Sequence, residues 1–567
     1  MAFLRLLPFG FACAALVAQA PAPVEALDAV PPGAFAYLFA RSPQLAQAKL
    51  QGLTQRLGDT TPDPFAALEA RFGLRRLPSD RRGFALVFLD GLEAKEAHPL
   101  LFLALREPKA LLDALKAKPG EDGLYTFSAG GGARALTLRE GWAILGDRSQ
   151  AGALRAAAKG RGGLRAALGD LAPWLEAQDV SALLAPEGLT GLLHEIRTQV
   201  AGTRGQAPAG AADPLAQAEP ILGQIQREVR QIGARAEVDE HGNLQVVLRA
   251  QLHPQGQWIR MAEGLPEVSD LGLQGLRGTD FLMALGGSLP TAWSAAFAGL
   301  TLPQVPLGPG QEDAALTRAE ALERIQRQIR STHAVLAVPP AGLQQQLVVA
   351  DPEAYFRELE AFFTLPSSRA LGLQPRRLRI GDTDALALMM TLPPADPQGG
   401  EAPRELPALA VLRTGPHSLI MQMGPEALKA PAEDTRPLLR ESALIRPTAA
   451  LLPEHAHFYA FMDTRAFAAQ QEVALQAQEA QLPEADRLQL PALPDNPPFP
   501  AFGLALAFMP GAWELHLAFP WETQLGLGRQ LPARAKAVAA RTAAVQKALA
   551  EHPRPEGAAE DAEAGED

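Results

Sequence analysis

The chain has 567 residues, 47% hydrophobic and 20% charged, which excludes a chain disordered in bulk and asks for more than one hydrophobic core. Its formal net charge of -11 sits largely at one end: Glu551, Glu556, Glu560, Asp561, Glu563, Glu566 and Asp567 oppose only Arg554, so the tail carries six of the eleven. The body is therefore mildly acidic, with no basic stripe suited to nucleic acid.

The first residues carry the pattern of an export leader. Arg5 supplies the positive region, Leu6–Val17 an apolar stretch too short to span a bilayer, and Ala18-Gln19-Ala20 the small residues that follow. Pro21 disfavours cutting after Ala20, which leaves Ala18 or Ala26 as cleavage points and sets residues 1–26 apart as the signal region. Cys13, the only cysteine, lies inside that leader, and Gly10-Phe11-Ala12-Cys13 fits a lipidation motif poorly. The mature chain then has no cysteine, which excludes disulfides, thiolate catalysis and cysteine-ligated zinc. No other run reaches the ~18 apolar residues of a membrane span. A periplasmic or secreted protein without a transmembrane span is expected.

The stretch VPPGAFAYLFA opens the body and predicts a strand at Ala36–Ala40, followed by helices over Pro43–Leu57 and Pro64–Phe72. Phe84–Leu89 and Leu100–Arg106 read as strands. Pro108 then starts a helix, because a first-turn proline gives up no needed N–H. Leu124–Ser128 leads through Gly130–Gly132 into a hairpin of Ala133–Arg139 and Trp142–Leu145. Helices are expected from Gln150 and over Leu164–Ala177, then a strand at Asp179–Leu184. After Pro186, residues Leu189, Leu192, Leu193, Ile196 and Val200 fall on one helical face. Thr203–Asp213 reads as a loop and Leu215–Ile232 as a helix. Ala236–Val238 and Leu244–Ala250 form a hairpin about His241-Gly242-Asn243.

The order then recurs. Leu38-Phe39-Ala40 matches Leu282-Met283-Ala284, and Glu107-Pro108 before a helix matches Asp351-Pro352. Leu138–Gly141 matches Leu412–Gly415, Ala182–Leu184 matches Ala460–Met462, and Gly242 with Leu244, Val246 and Leu248 matches Gly511 with Trp513, Leu515 and Leu517. Matches in one consistent order predict a duplication. The expected fold is α+β: two tandem diverged halves, 27–270 and 271–530, each a mainly antiparallel sheet with packed helices. A C-terminal helix over 531–550 and an acidic disordered tail, 551–567, complete the chain. Thr301–Gly310, Leu392–Pro407 and Leu482–Pro500 are proline-rich and read as surface excursions. Phe102–Leu105, Leu347–Ala350 and Phe502–Met509 are apolar on both faces and need cover on both sides. The leader, VPPGAFAYLFA and APWLEAQDVSALLAPEGL (Ala172–Leu189) together resemble uncharacterised exported bacterial proteins of about this length, known only as domains of unknown function. That resemblance implies export and an α+β fold, and lends no catalytic residues.

Candidates for chemistry are sparse. His194-Glu195-Ile196-Arg197-Thr198 has a threonine where a zinc-protease helix needs its second histidine. His455 and His457 share a strand side but lack a third ligand, and Asp382-Thr383-Asp384 reads as a turn and not a calcium loop. Gly130–Gly132 lacks the lysine and hydroxyl of a phosphate loop, and no common serine-nucleophile motif is present. Trp142, Trp174, Trp258, Trp293, Trp513 and Trp521 are scattered, as core or edge packing would place them. No catalytic, cofactor-binding or metal-ligating set is assigned, and no cofactor is expected. The expected function is a non-catalytic exported binding or scaffold protein of the cell envelope, its partner an unknown protein or an apolar ligand. The alternatives are a carrier holding an apolar ligand in a groove between the halves, rimmed by Asp239, Glu240 and His241, or an exported hydrolase whose site is assembled from scattered residues.

Overall fold

The structure, a computed structural model, describes residues 26–40, 47–48, 64–74, 83–89, 99–120, 123–139, 141–159, 163–177, 180–202, 214–268, 271, 273, 275–278, 281–288, 312–337, 343–365, 372–392, 404–423, 436–482, 484–487, 490–551. The leader, most of the helix expected over 43–57, the loops at 203–213 and 301–310 and the acidic tail from 552 lie outside the described residues.

The fold is α+β, built on one long antiparallel sheet. The first ten strands are β1 (Ala36–Ala40), β2 (Phe84–Phe88), β3 (Leu100–Ala104), β4 (Lys118–Pro119), β5 (Tyr125–Ala129), β6 (Gly132–Arg139), β7 (Trp142–Asp147), β8 (Val180–Leu184), β9 (Val229–Val238) and β10 (Leu244–Leu252). The second ten are β11 (Phe281–Gly287), β12 (Ile329–Ala337), β13 (Leu343–Val349), β14 (Leu373–Ile380), β15 (Thr383–Leu392), β16 (Arg404–Arg413), β17 (Ser418–Met423), β18 (Phe458–Met462), β19 (Phe502–Met509) and β20 (Ala512–Phe519). Pairings link the first ten in the order β4-β5-β6-β7-β3-β2-β1-β8-β9-β10. The second ten follow the same order of neighbours, β14-β15-β16-β17-β13-β12-β11-β18-β19-β20. The two blocks join where β10 pairs with β20. One sheet therefore runs through both expected halves, in place of a separate sheet in each.

The helices used below are α1 (Pro64–Phe72), α2 (Pro108–Leu115), α3 (Ala151–Lys159), α4 (Leu164–Leu168), α5 (Leu171–Glu176), α6 (Pro186–Gly202), α7 (Pro214–Glu228), α8 (Gln257–Ala262), α9 (Glu312–Gln328), α10 (Pro352–Thr364), α11 (Arg446–Ala449), α12 (Thr464–Glu479), α13 (Trp521–Leu525) and α14 (Leu531–Glu551). No described helix is long and apolar enough to cross a membrane. Strand alternation sends neighbouring residues into different cores. Tyr37, Phe39, Phe102 and Ile144 enter a core closed by α3, α4 and α5, whereas Leu38, Leu101, Leu103 and Leu145 enter one closed by Phe72 of α1 and Leu111 of α2. Both faces of β3 are thus covered, as its unbroken apolar run requires.

Several boundaries differ from the sequence reading. The helix expected over 164–177 breaks into α4 and α5 at Gly169, whose φ of +53° suits glycine and halts the helix. The helix expected to reach Ile232 stops at Glu228. Val229–Val238 forms a strand because β8 and β10 both pair with it, and two ladders outweigh a local helical period. Leu38 faces Ala182 across β1 and β8, and Leu285 faces Ala460 across β11 and β18. Pro407 belongs to β16 and sits at a register shift against β15, where a missing N–H is tolerated.

The segment 490–500 is not a loose surface excursion. Arg534 pairs with Glu472 at 2.7 and 2.6 Å and also donates to the Pro494 carbonyl; Arg541 pairs with Glu479 at 2.5 and 2.8 Å and donates to the Pro491 carbonyl at 2.8 Å. The hydrogen bond and charge of Arg541 hold the Glu479 carboxyl below its ordinary range, outweighing burial. Val545 of α14 meets Leu475 and Leu482 beneath these pairs. In limited thermolysin digestion the wild type should keep 490–500 intact, while Arg534→Ala/Arg541→Ala should be cut there early. Equal rates for the two proteins would show that the arginines do not strap the segment.

Candidate functional site

The junction of the two blocks gathers polar chemistry that neither block holds alone. Eight residue pairs join β10 to β20, from Leu244↔Phe519 to Gln251↔Ala512. Alternation puts Gln245, Val247 and Arg249 on one face beside Ala518, His516 and Glu514, and extends that face to Gly233, Arg235 and Glu237 of β9. The opposite face is apolar, with Ala236, Leu244 and Val246 buried and Leu248, Leu517 and Phe519 packed against them.

On the polar face a cleft of about 270 Å³ opens between the blocks. Arg235, Glu237, Gln245, Val247 and His516 line its floor, and Leu451, Leu452 and Pro453 form a wall. The wall is fixed from beneath: Tyr459 donates to the Pro453 carbonyl at 2.8 Å, and Leu452 is buried in the second block's core. Burial pushes the Tyr459 phenol up to about 12, with Glu267 adding to the shift.

Trp174 of α5 stands over the first block's share of this floor. The Arg235 guanidinium lies 4.7 Å from its ring centroid and that of Arg249 lies 6.0 Å away. The close approach depends on Gly233, where an added Cβ would lie 2.9 Å from the Trp174 ring. In the second block Gly503 admits α11 in the same way, with Thr448 at 2.6 Å and Leu452 at 3.1 Å from its would-be Cβ.

Glu514 is the hub of the charges. It accepts from Nε2 of His516 at 3.1 Å and pairs with Arg249 at 3.7 Å. Burial alone would push its carboxyl up, but the His516 hydrogen bond and the charges of His516, Arg235 and Arg249 outweigh that and hold it below its ordinary value. Burial pulls the Arg235 guanidinium down, partly offset by Glu514 and Glu237. Among the described residues Arg235 makes no ion pair, and the Nε of Arg235, the Nε of Arg249 and the Trp174 Nε1 are all buried without an acceptor. A wider depression of about 410 Å³, lined by Leu271, Arg440, Glu441 and Arg446, shows no such convergence.

The residues singled out from the sequence lie elsewhere. Asp239 caps its own turn, accepting from the N–H of His241 and of Asn243 at 2.9 Å, while Glu240 and His241 are exposed. That turn docks on α13 through Gln524, which donates to the Gly242 carbonyl at 2.8 Å; it does not rim the cleft. The Thr198 hydroxyl donates to the His194 carbonyl at 3.0 Å, a local helical contact. Asp382 lies in the turn joining β14 to β15, where it comes within 4.0 Å of Arg379, and Asp384 lies in β15. Gly130 and Gly131 turn the chain between β5 and β6. Trp293 lies outside the described residues, and Trp174 stands over the cleft floor. Among the described residues no group of three or more His, Cys, Asp or Glu is placed to hold a metal.

His455 is exposed, 3.8 Å from Glu267, whereas His457 is buried and its Nδ1 accepts from the Phe508 N–H at 3.1 Å. Burial holds the His457 ring below its ordinary value despite Glu267 and a hydrogen bond to Leu265. A depressed histidine contributes stability that is full above its unfolded value of about 6.5 and falls as pH drops below it. The melting temperature should therefore decline on acidification through that window. His457→Asn, whose amide oxygen replaces the Nδ1 acceptor, should flatten the decline; an unchanged slope in the variant would remove His457 from the account.

The sequence hid this site because its residues look like the wet side of two alternating hairpins. Aligning the two blocks exposes it: the pairing registers set Arg235 and Arg249 against Ala505 and Ala518, so the arginines have no charged counterpart. No family model matches this chain, and no curated protein matches it. Among solved structures it is similar to crystal form I of TP0453, at 9% identity over 48% of this chain and 99% of that one, with a TM-score of 0.22. A likeness at that level carries no argument about fold or function.

Proposed function

We propose that this is a non-catalytic exported binding protein of the bacterial cell envelope, built from two tandem diverged halves that take a ligand at their seam. The cleft above β10 and β20, where Arg235, Glu237, Gln245 and His516 converge and the Arg235 Nε is buried without an acceptor, carries this reading, since convergent polar groups in a pocket between units mark a binding site.

Duplication is supported by the shared order of strand neighbours and by the seam itself. If Leu244 corresponds to Trp513 and Ala250 to Phe519, the pairs Leu244↔Phe519 and Ala250↔Trp513 exchange, as a two-fold axis through Val247 and His516 requires. Export rests on Arg5 and the apolar Leu6–Val17. Ala26 and Leu27 are buried in the core, which favours cleavage after Ala18 over cleavage after Ala26. A second reading, a carrier for an apolar ligand, draws on the other seam face, where Phe502 and Phe519 stack at 5.7 Å beside the half-buried Leu248, Leu515 and Leu517.

Calorimetric titration of the mature protein with hexanoate, hexanamide and hexylamine tests the seam. At least one should bind saturably, and Gln245→Trp, which fills the cleft floor, should block it. Saturable binding that ignores Gln245→Trp, or no binding by any of these, sinks the reading. Saturation by an apolar dye that Gln245→Trp leaves unchanged would move the ligand to the other face.

A further inference from the structure

We infer that the seam cleft recognises a carboxylate on a small, partly apolar molecule, with the Arg235 guanidinium on Trp174 as its receptor; this rests on the seam reading above.

Most of the charges at the seam are already taken. Arg249 and His516 both engage Glu514, and Glu237 has a partner of its own. Arg235 makes no ion pair among the described residues and stacks on Trp174, its guanidinium 4.7 Å from the ring centroid, with the charges of Glu514 and Glu237 in its neighbourhood. Stacking fixes the plane of a guanidinium and leaves its N–H fork free to meet a planar carboxylate. Among the residues that line the cleft, the orphaned buried atom is the Arg235 Nε, a donor. Buried donors without acceptors are costly, so the complementary group is rich in acceptors. An amine or a simple hydrocarbon does not supply it.

The rest of the cleft sets the body of the ligand. Val247, Leu451, Leu452 and Pro453 offer apolar contact beside the cation. The volume of about 270 Å³ lies just below the range of small-molecule sites, typically about 300–1,000 Å³. A small monocarboxylate with a short apolar body fits that description, and a long acyl chain does not.

Arginine placement also argues against a purely structural purpose. The position matching Arg235 in the second block is Ala505, so the architecture stands without a cation there. The Arg249–Glu514 pair already spans the two blocks, and Arg235 adds a further partly buried charge that the span does not need.

The test titrates the full mature chain with hexanoate and with hexanamide, which keeps the shape and loses the charge. Hexanoate should saturate and raise the melting temperature, and hexanamide should bind about tenfold or more weakly. Arg235→Met, which keeps the stem over Trp174, should abolish hexanoate binding while the melting temperature holds. Arg235→Lys, which keeps charge without the planar fork, should fall between. Equal binding of the two probes, or full hexanoate affinity in Arg235→Met, overturns the proposal. If Gln245→Trp blocks both probes while Arg235→Met blocks neither, the seam site stands and the carboxylate falls. If neither variant matters, both readings fall together.

Discussion

Replacing Glu514 with leucine should destabilise the protein by roughly 3–5 kcal/mol, toward the lower end because Arg249 keeps some contact with water. Glu514 is 9% exposed and faces Arg249 across the junction and His516 along its own strand. Taking away this carboxylate leaves the partly buried Arg249 guanidinium without its ion-pair partner and Arg235 with the charge of Glu237 but not that of Glu514. Most of the loss therefore comes from the stranded Arg249 cation and not from the pair's own strength. It follows that Glu514→Leu combined with Arg249→Met should recover much of the loss, because two apolar side chains of similar volume need no partners. Urea unfolding of the wild type, both single variants and the double variant measures the coupling. Strictly additive losses would show that the two groups do not act as a buried pair. The sign of the pH dependence follows from the depressed Glu514 carboxyl: its stabilisation is full above its ordinary value of 4.5 and is lost as pH falls through its lower folded value.

Gly287→Ala is the second large effect expected, and its sign runs against the usual rule. In a strand or helix, alanine normally gains roughly 0.5–1 kcal/mol over glycine by narrowing the unfolded chain. Gly287 has φ +153°, and its would-be Cβ lies 2.2 Å from the His457 carbonyl oxygen and 2.5 Å from the Phe458 Cα. Both obstacles are backbone where the paired strand β18 begins, His457 just before it and Phe458 its first residue, and backbone cannot swing aside as a side chain can. Strain at φ and displacement of β18 should together cost roughly 2–5 kcal/mol. Gly152, inside α3 with nothing within 4 Å of its would-be Cβ, provides the control. There the same substitution should stabilise by up to about 1 kcal/mol. Thermal unfolding of the two variants reads both signs at once. If Gly287→Ala matches the wild type, β11 and β18 are not packed as closely as described.

Local elements were legible where the pattern is local. Alternation in Leu244, Val246, Leu248 and Ala250 and the turn at Gly242 specify a hairpin, and Pro108, Pro186 and Pro352 each mark the start of a helix. Those signals lie within a few residues, and backbone geometry alone turns them into structure. The C-terminal helix expected over 531–550 likewise forms and packs through Val538, Val545 and Leu549, but no local signal showed that its arginines would hold 490–500 in place.

What the tertiary structure decided is everything that depends on which strand meets which. Val229–Val238 follows a helix without a break and became a strand only because β8 and β10 stand ready on either side. Arg235, Arg249, Glu514 and His516 belong to two hairpins at opposite ends of the chain, each showing the ordinary polar side of an alternating pattern. Pairing of β10 with β20 turns that side from a solvent face into the floor of a cleft, where burial makes every unpaired donor matter. Side-chain spacing along a strand records which face a residue takes, but not what will cover that face. The cover here comes from Trp174 and from Leu451–Pro453, and only the closed sheet brings them to the same place.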